Sequence, residues 1–166
     1  MWLIVAADPE NSMPAALLFV VAAATDFLDG YIARKHNITT VLGAFLDGTA
    51  DKMLVAGTLL ALLAIGRVSM WAALIIVTRE LAVTALRGLA ALEGHVVRPS
   101  AWGKIKANVQ FLALFLAVLR LSSPWGPLYL DEYVMWLAVI VTALSGWQYV
   151  SRFWKVAIQS DATVAE

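Results

Sequence analysis

Five runs of apolar residues, at 15–34, 42–65, 68–89, 104–121 and 133–150, leave this chain few ways to fold. Each is close to the ~20 residues that a helix needs to cross the hydrocarbon core of a bilayer. Glycine, proline, asparagine and serine punctuate the intervals between them, at 9–11, 37–40, 66, 94–99 and 122–127. Hydrophobic residues make up 61% of the 166 and charged residues 14%, with a mean hydropathy of +0.79. A soluble domain carries roughly 45–50% apolar and about 25% charged residues. The excess is spread along the whole chain and not concentrated in one buried helix, so the expected solvent is lipid and the expected fold an all-α integral membrane bundle. Residues 1–7 are apolar, but seven helical residues rise only about 10 Å. They are expected to be the remnant of a truncated first helix in a six-helix bundle. A single transmembrane catalytic domain is expected at 1–155, followed by a polar tail at 156–166.

Several chemistries drop out at once. The absence of cysteine removes disulfides, thiolate nucleophiles and sulfur-bound metals. The formal net charge of zero gives no overall attraction to nucleic acid. His36 and His95 have no partner at ligand spacing and read as solvated loop residues. The seven tryptophans read as an interfacial belt or as packing.

If successive spans alternate in direction, the charges within them collect at one end. Asp26, Asp29 and Arg34 lie late in one run, and Asp47, Asp51 and Lys52 lie early in the next. Arg79 and Arg87 lie late in the third, and Lys104 and Lys106 open the fourth. Lys35, Arg98, Arg152 and Lys155 fall on the same side, which the positive-inside rule assigns to the cytoplasm. The opposite side holds Arg67 and Arg120, with Asp8, Glu10, Asp131 and Glu132 expected as solvated loop charges. This predicts a half-buried polar chamber facing the cytoplasm from the cell (inner) membrane.

An aspartate at the middle of a membrane helix costs about 2.5–3.5 kcal/mol to insert, less towards the interface. Four within two consecutive spans are therefore unexplained by packing, and call for a bound cation or a function. At about 100° per residue, Asp26, Asp29, Gly30, Ala33 and Arg34 share one face of their helix. Gly43, Asp47 and Asp51, spaced by four, share a face of the following one. The eight residues between Arg34 and Gly43 suffice for a helix hairpin that lets these faces meet. Carboxylate oxygens without histidine or cysteine suit Mg²⁺, Mn²⁺ or Ca²⁺ better than zinc or copper. Small Gly30, Ala33 and Gly43 would admit a nucleotide close to the backbone, although they equally suit tight helix packing.

The pattern Asp-x2-Asp-Gly-x2-Ala-Arg-x8-Gly-x3-Asp-x3-Asp, running from Asp26 to Asp51, resembles the signature of the CDP-alcohol phosphatidyltransferases. Arg79-Glu80, Arg87 and Gly103-Lys104-Ile105-Lys106 with Gln110 are similar to the branch of that family that uses a glycerol phosphate acceptor. Gly48-Thr49 replaces a pair that commonly contains proline, and Ala107 stands where threonine is usual. The resemblance implies a phosphatidyl donor, CDP-diacylglycerol, and sn-glycerol 3-phosphate as acceptor. It also implies two Mg²⁺ or Mn²⁺ ions held by Asp26, Asp29, Asp47 and Asp51, with Asp51 as general base, and a homodimer. Donor binding would fall to Asp29, Gly30, Ala33, Arg34 and Gly43, although Arg34 alone would also serve as a membrane anchor.

Arg79 and Arg87 differ by about 80° of helical rotation and can address one pocket. Guanidinium forks suit a phosphate dianion, so these residues, with Lys104 and Lys106, are the candidate acceptor-phosphate site, and Glu80 is expected to pair one of them. The two lysines differ by about 200°, so both can join only if the helix start is irregular or one snorkels. Inositol phosphate, phosphatidylglycerol and serine are alternative acceptors, and an inactive membrane scaffold or a divalent-cation carrier are alternative functions. The carrier is disfavoured because no acidic path continues to the far leaflet.

Overall fold

The computed structural model describes residues 13–35, 41–92, 101–121 and 124–164. They form five helices: α1 (Met13–Lys35), α2 (Val41–Ala64), α3 (Met70–Leu92), α4 (Ala101–Leu119) and α5 (Leu130–Val164). The expected count was six; residues 1–7, on which the additional helix rested, lie outside the described residues, as do His36 and His95. α5 extends well past the expected end of the last span and through most of the residues assigned to a polar tail. No proline, and after Gly146 no glycine, interrupts it.

Local chemistry sets the helix ends. α2 stops at Gly66, whose φ of 69° closes a Schellman turn: Gly66 N–H bonds Leu63 O at 3.0 Å and Arg67 N–H bonds Leu62 O at 2.9 Å. A Cβ at φ > 0 would be strained, so glycine suits this position. α3 starts after Ser69, whose carbonyl accepts the Ala73 N–H at 3.1 Å. α4 closes on Arg120, a left-handed residue (φ 44°) whose N–H bonds Leu116 O at 2.8 Å. At the start of α5, Glu132 accepts the Tyr129 N–H at 3.1 Å, the acidic half of a capping box.

The helices pack through alanines and a narrow band of larger side chains. Ala72, Ala113, Ala117 and Ala138 are essentially inaccessible, which lets the backbones approach closely. Leu59, Leu62, Ile76, Leu114 and Val118 fill the centre between α2, α3 and α4. α5 packs most extensively on α4 and next on α3, while α1 touches α4 and α2. Phe19 and Phe111, with ring centroids 6.1 Å apart, pin α1 to α4. Three polar side chains share this core with hydrogen bonds made: Thr58 donates to Leu54 O, and Gln110 donates to Thr142 Oγ1 at 2.9 Å.

Outside, the polarity is inverted relative to a water-soluble bundle. Leu17, Met53, Leu60, Leu74, Leu81, Leu112, Ile140 and Leu144 point outward. A soluble monomer rarely exposes contiguous apolar patches above a few hundred Å². Exposed Trp71, Trp125 and Trp136 stand at one end of the bundle, and Trp102 and Trp147 towards the other. Among the described residues, two helices are long and apolar enough to cross a membrane, Trp102–Leu119 and Leu130–Ser151. α2 and α3 carry their charges within the helix, at Asp47, Asp51 and Lys52 and at Arg79, Glu80 and Arg87.

At the end bearing the α2–α3 and α4–α5 connections, the structure corrects one expectation. Asp131 is buried, not solvated, with Arg120 Nη1 3.4 Å from its carboxylate and 3.9 Å from that of Glu132. The Arg120 guanidinium lies 3.9 Å from the centre of the Tyr129 ring. Arg67 donates to Val118 O at 2.8 Å, covering the C-terminal carbonyls of α4. Burial first, and repulsion from Arg120 second, lower the Arg67 pKa, while Asp131 opposes them.

Candidate functional site

At the opposite end, the last turns of α1 and the first of α2 carry the acidic pattern. Asp26, Asp29, Gly30, Ala33 and Arg34 are all helical in α1, and Gly43, Asp47 and Asp51 in α2. The two helices touch, and regular helical register keeps each acidic set on one face. The side chains of Asp26, Asp29, Ala33, Arg34 and Asp47 lie outside the described residues, as does the environment of Gly30. Gly43 is exposed and Asp51 half-buried, and both are engaged by neighbours. Lys52 folds back one turn so that its Nζ donates to Gly48 O at 2.6 Å. Four carboxylates on two touching helices, with no nitrogen or sulfur donor in the pattern, fit a hard divalent cation.

A second cluster is assembled from three other helices. Glu80 Oε1 on α3 accepts from Arg79 Nη1 at 3.3 Å and from Lys106 Nζ on α4 at 2.5 Å. Arg79 reaches across to α5, where Nη2 donates to Ser145 Oγ at 2.7 Å. Its stem lies against Gly146; a Cβ there would stand 3.0 Å from Arg79 Cγ, so glycine permits the close approach. Two turns further along α3, the exposed Arg87 lays its guanidinium 5.4 Å from the centre of the Tyr149 ring, within cation–π range. The two arginines are close enough to repel each other electrostatically. Burial of these charges is substantial: the side chains of Arg79, Glu80 and Lys106 are 12%, 15% and 9% exposed. Glu80 pairs with Arg79 and Lys106, and Arg87 stands further along the same helix, so the region keeps a positive excess that suits an anion.

Lys106, hydrogen-bonded to Glu80, also feels the Asp51 carboxylate on α2. Among the candidate phosphate ligands, Arg79, Arg87 and Lys106 are brought to this region. Lys104 stays exposed on the other side of α4. The reason is that α4 begins at Ala101, so both lysines sit in regular helix and their ~200° separation is enforced. Glu80 pairs both Arg79 and Lys106 where a single partner was expected. The contribution of α5 was missed altogether, although Thr142, Ser145 and Tyr149 recur at i, i+3 and i+7, a spacing that puts them on one helix face.

Comparison with known proteins defines the class. Residues 1–144 match the family model described as CDP-alcohol phosphatidyltransferase, and the chain belongs to that family of enzymes. Among curated relatives, it is 39% identical over 159 residues to the CDP-diacylglycerol–glycerol-3-phosphate 3-phosphatidyltransferase of Bacillus subtilis (strain 168), covering 92% of this chain and 80% of the relative. It is 41% identical over 145 residues to the protein of the same name from Rickettsia bellii (strain RML369-C), covering 86% and 80%. It is also 42% identical over 137 residues to the probable phosphatidylglycerophosphate synthase of Mycobacterium tuberculosis (strain ATCC 25618 / H37Rv), covering 81% and 63%.

Proposed function

We propose that this chain transfers the phosphatidyl group of CDP-diacylglycerol to sn-glycerol 3-phosphate, forming phosphatidylglycerophosphate and releasing CMP. The observation that carries the acceptor assignment is the buried Arg79–Glu80–Lys106 cluster, with Arg87 two turns further along α3 and Asp51 within electrostatic reach of Lys106. The positive excess of Arg79, Lys106 and Arg87 over Glu80 favours a phosphorylated acceptor over one without a phosphate, such as serine. The names of the relatives point to glycerol 3-phosphate in particular.

In this reading the phosphate of the acceptor docks on Arg79, Arg87 and Lys106, which directs its free hydroxyl towards Asp51. The Asp51 carboxylate takes the hydroxyl proton as the oxygen attacks the lipid-side phosphorus of the donor. The new P–O bond forms as the bond to CMP breaks, and CMP leaves as an anion. Arg34 neutralises donor phosphate charge, and small Gly30, Ala33 and Gly43 let the nucleotide lie against the helices. Asp26, Asp29, Asp47 and Asp51 would hold one or two Mg²⁺ or Mn²⁺ ions, whose chemistry when bound is to polarise phosphoryl oxygens and offset the charge of the leaving group. The outward apolar surface and the tryptophans at both ends support five crossings of the cell membrane by α1–α5. The basic excess at the catalytic end supports a cytoplasmic site, and the family implies a homodimer.

The test is an acceptor panel. Purified protein in lipid vesicles should release CMP from CDP-diacylglycerol fastest with sn-glycerol 3-phosphate. Faster release with inositol phosphate would reassign the acceptor, and no release with any acceptor would replace the enzyme with a scaffold.

A further inference from the structure

Two unspent hydrogen-bond donors lie where α3 meets α5 behind the cationic cluster, one from each helix. Tyr149 is buried, 9% exposed, yet its hydroxyl has no hydrogen-bond partner. The Nε of Arg79 is likewise buried and unpartnered, and it lies 3.7 Å from where a Gly146 Cβ would stand. A buried donor left unmade costs about 1–3 kcal/mol, and two in one neighbourhood beside two guanidinium groups call for a shared acceptor. The rest of the α5 face is already committed. Ser145 Oγ holds Arg79 Nη2 at 2.7 Å, and the Tyr149 ring supports Arg87 from one turn further on.

We propose that Tyr149 is a ligand-contacting residue of the acceptor site. Its hydroxyl donates to a phosphate oxygen of the acceptor while its ring holds Arg87, and the Arg79 Nε–H completes the same anion cradle. Ser145 is the positioning residue that fixes the Arg79 fork for this contact. The ligand chemistry is a phosphate monoester dianion, and the assignment of that dianion to glycerol 3-phosphate rests on the function proposed above. Ring and hydroxyl serve separate ends, so they can be separated by substitution. Phenylalanine at this position keeps the cation–π face and deletes only the donor.

The experiment uses the full chain in detergent. Calorimetric titration with sn-glycerol 3-phosphate and, separately, with inorganic phosphate is paired with KM measurements for both substrates. Tyr149→Phe should weaken binding of both anions roughly ten- to a hundredfold, the loss of one hydrogen bond to a charged group. It should raise the KM for glycerol 3-phosphate by a similar factor and leave that for CDP-diacylglycerol unchanged. Tyr149→Leu should lose more, because Arg87 is also released. Ser145→Ala should weaken both anions, and Ser145→Thr, which restores the hydroxyl, should recover them. Wild-type affinity for both anions in Tyr149→Phe, or an equal rise in both KM values, would overturn the proposal, as would a wild-type chain that binds no phosphate. If the wild type binds inorganic phosphate but does not use glycerol 3-phosphate, the acceptor assignment fails. Tyr149 is then judged on the inorganic phosphate titration alone.

Discussion

Replacing Glu80 by glutamine removes one negative charge and leaves the shape of the side chain almost intact, so it isolates what that charge does. Glu80 Oε1 is the shared acceptor for Arg79 and Lys106. Losing one partner of a buried ion pair costs about 3–5 kcal/mol because the other charge is stranded. Here the amide oxygen still accepts a hydrogen bond and the side chains are not fully sealed, so the cost should be nearer 2 kcal/mol, within the range for hydrogen bonds to charged groups. At 2–4 °C per kcal/mol for a chain of this length, the unfolding midpoint should fall by roughly 4–8 °C. A phosphate dianion can take over the missing charge. Saturating glycerol 3-phosphate should therefore raise the midpoint of Glu80→Gln more than that of the wild type, by linkage between ligand binding and folding. The assay is thermal unfolding in detergent, followed by tryptophan fluorescence with and without the ligand. An unchanged midpoint without ligand, or an equal ligand-induced rise in both proteins, would refute the idea that Glu80 stands in for substrate phosphate among these cations.

Other perturbations probe the remaining parts. Asp51→Asn should lower CMP release by about 10²–10⁴-fold, the usual contribution of a positioned base, while membrane insertion assayed by fractionation is retained; wild-type turnover would remove Asp51 from that role. Arg87→Ala should raise the KM for glycerol 3-phosphate severalfold and that for the donor little, and equal effects would move Arg87 out of the acceptor pocket. Exhaustive chelation should abolish CMP release and added Mg²⁺ or Mn²⁺ restore it; full turnover after chelation would contradict the carboxylate site's assignment to a divalent cation.

Much of this arrangement is written in local spacing. The intervals among Asp26, Asp29, Asp47 and Asp51 put two acidic faces on consecutive helices, because a regular helix allows nothing else. The opposite fates of Lys104 and Lys106 follow from the same rotation once α4 is known to begin before both. Tertiary partnerships were less legible. Asp131 looks like a loop charge until Arg120 adopts its left-handed conformation at the end of α4 and turns towards it. Ser145 and Tyr149 share a face of α5 with Thr142, but the sequence does not say what that face meets. Nothing in their spacing identifies the arginines of α3, more than fifty residues earlier, as their partners. The length of α5 was underestimated for a different reason: hydropathy falls after Val150, but hydropathy reports the membrane and not the end of a helix.

The central claim is that one chain joins a lipid phosphatidyl group to a phosphorylated glycerol. Vesicles containing the purified protein and CDP-diacylglycerol, supplied with Mg²⁺ and radiolabelled sn-glycerol 3-phosphate, test it most directly. Label entering the lipid phase should equal the CMP released, mole for mole. Release of CMP without labelled lipid would mean that water, not the glycerol hydroxyl, is the nucleophile, and would contradict the account.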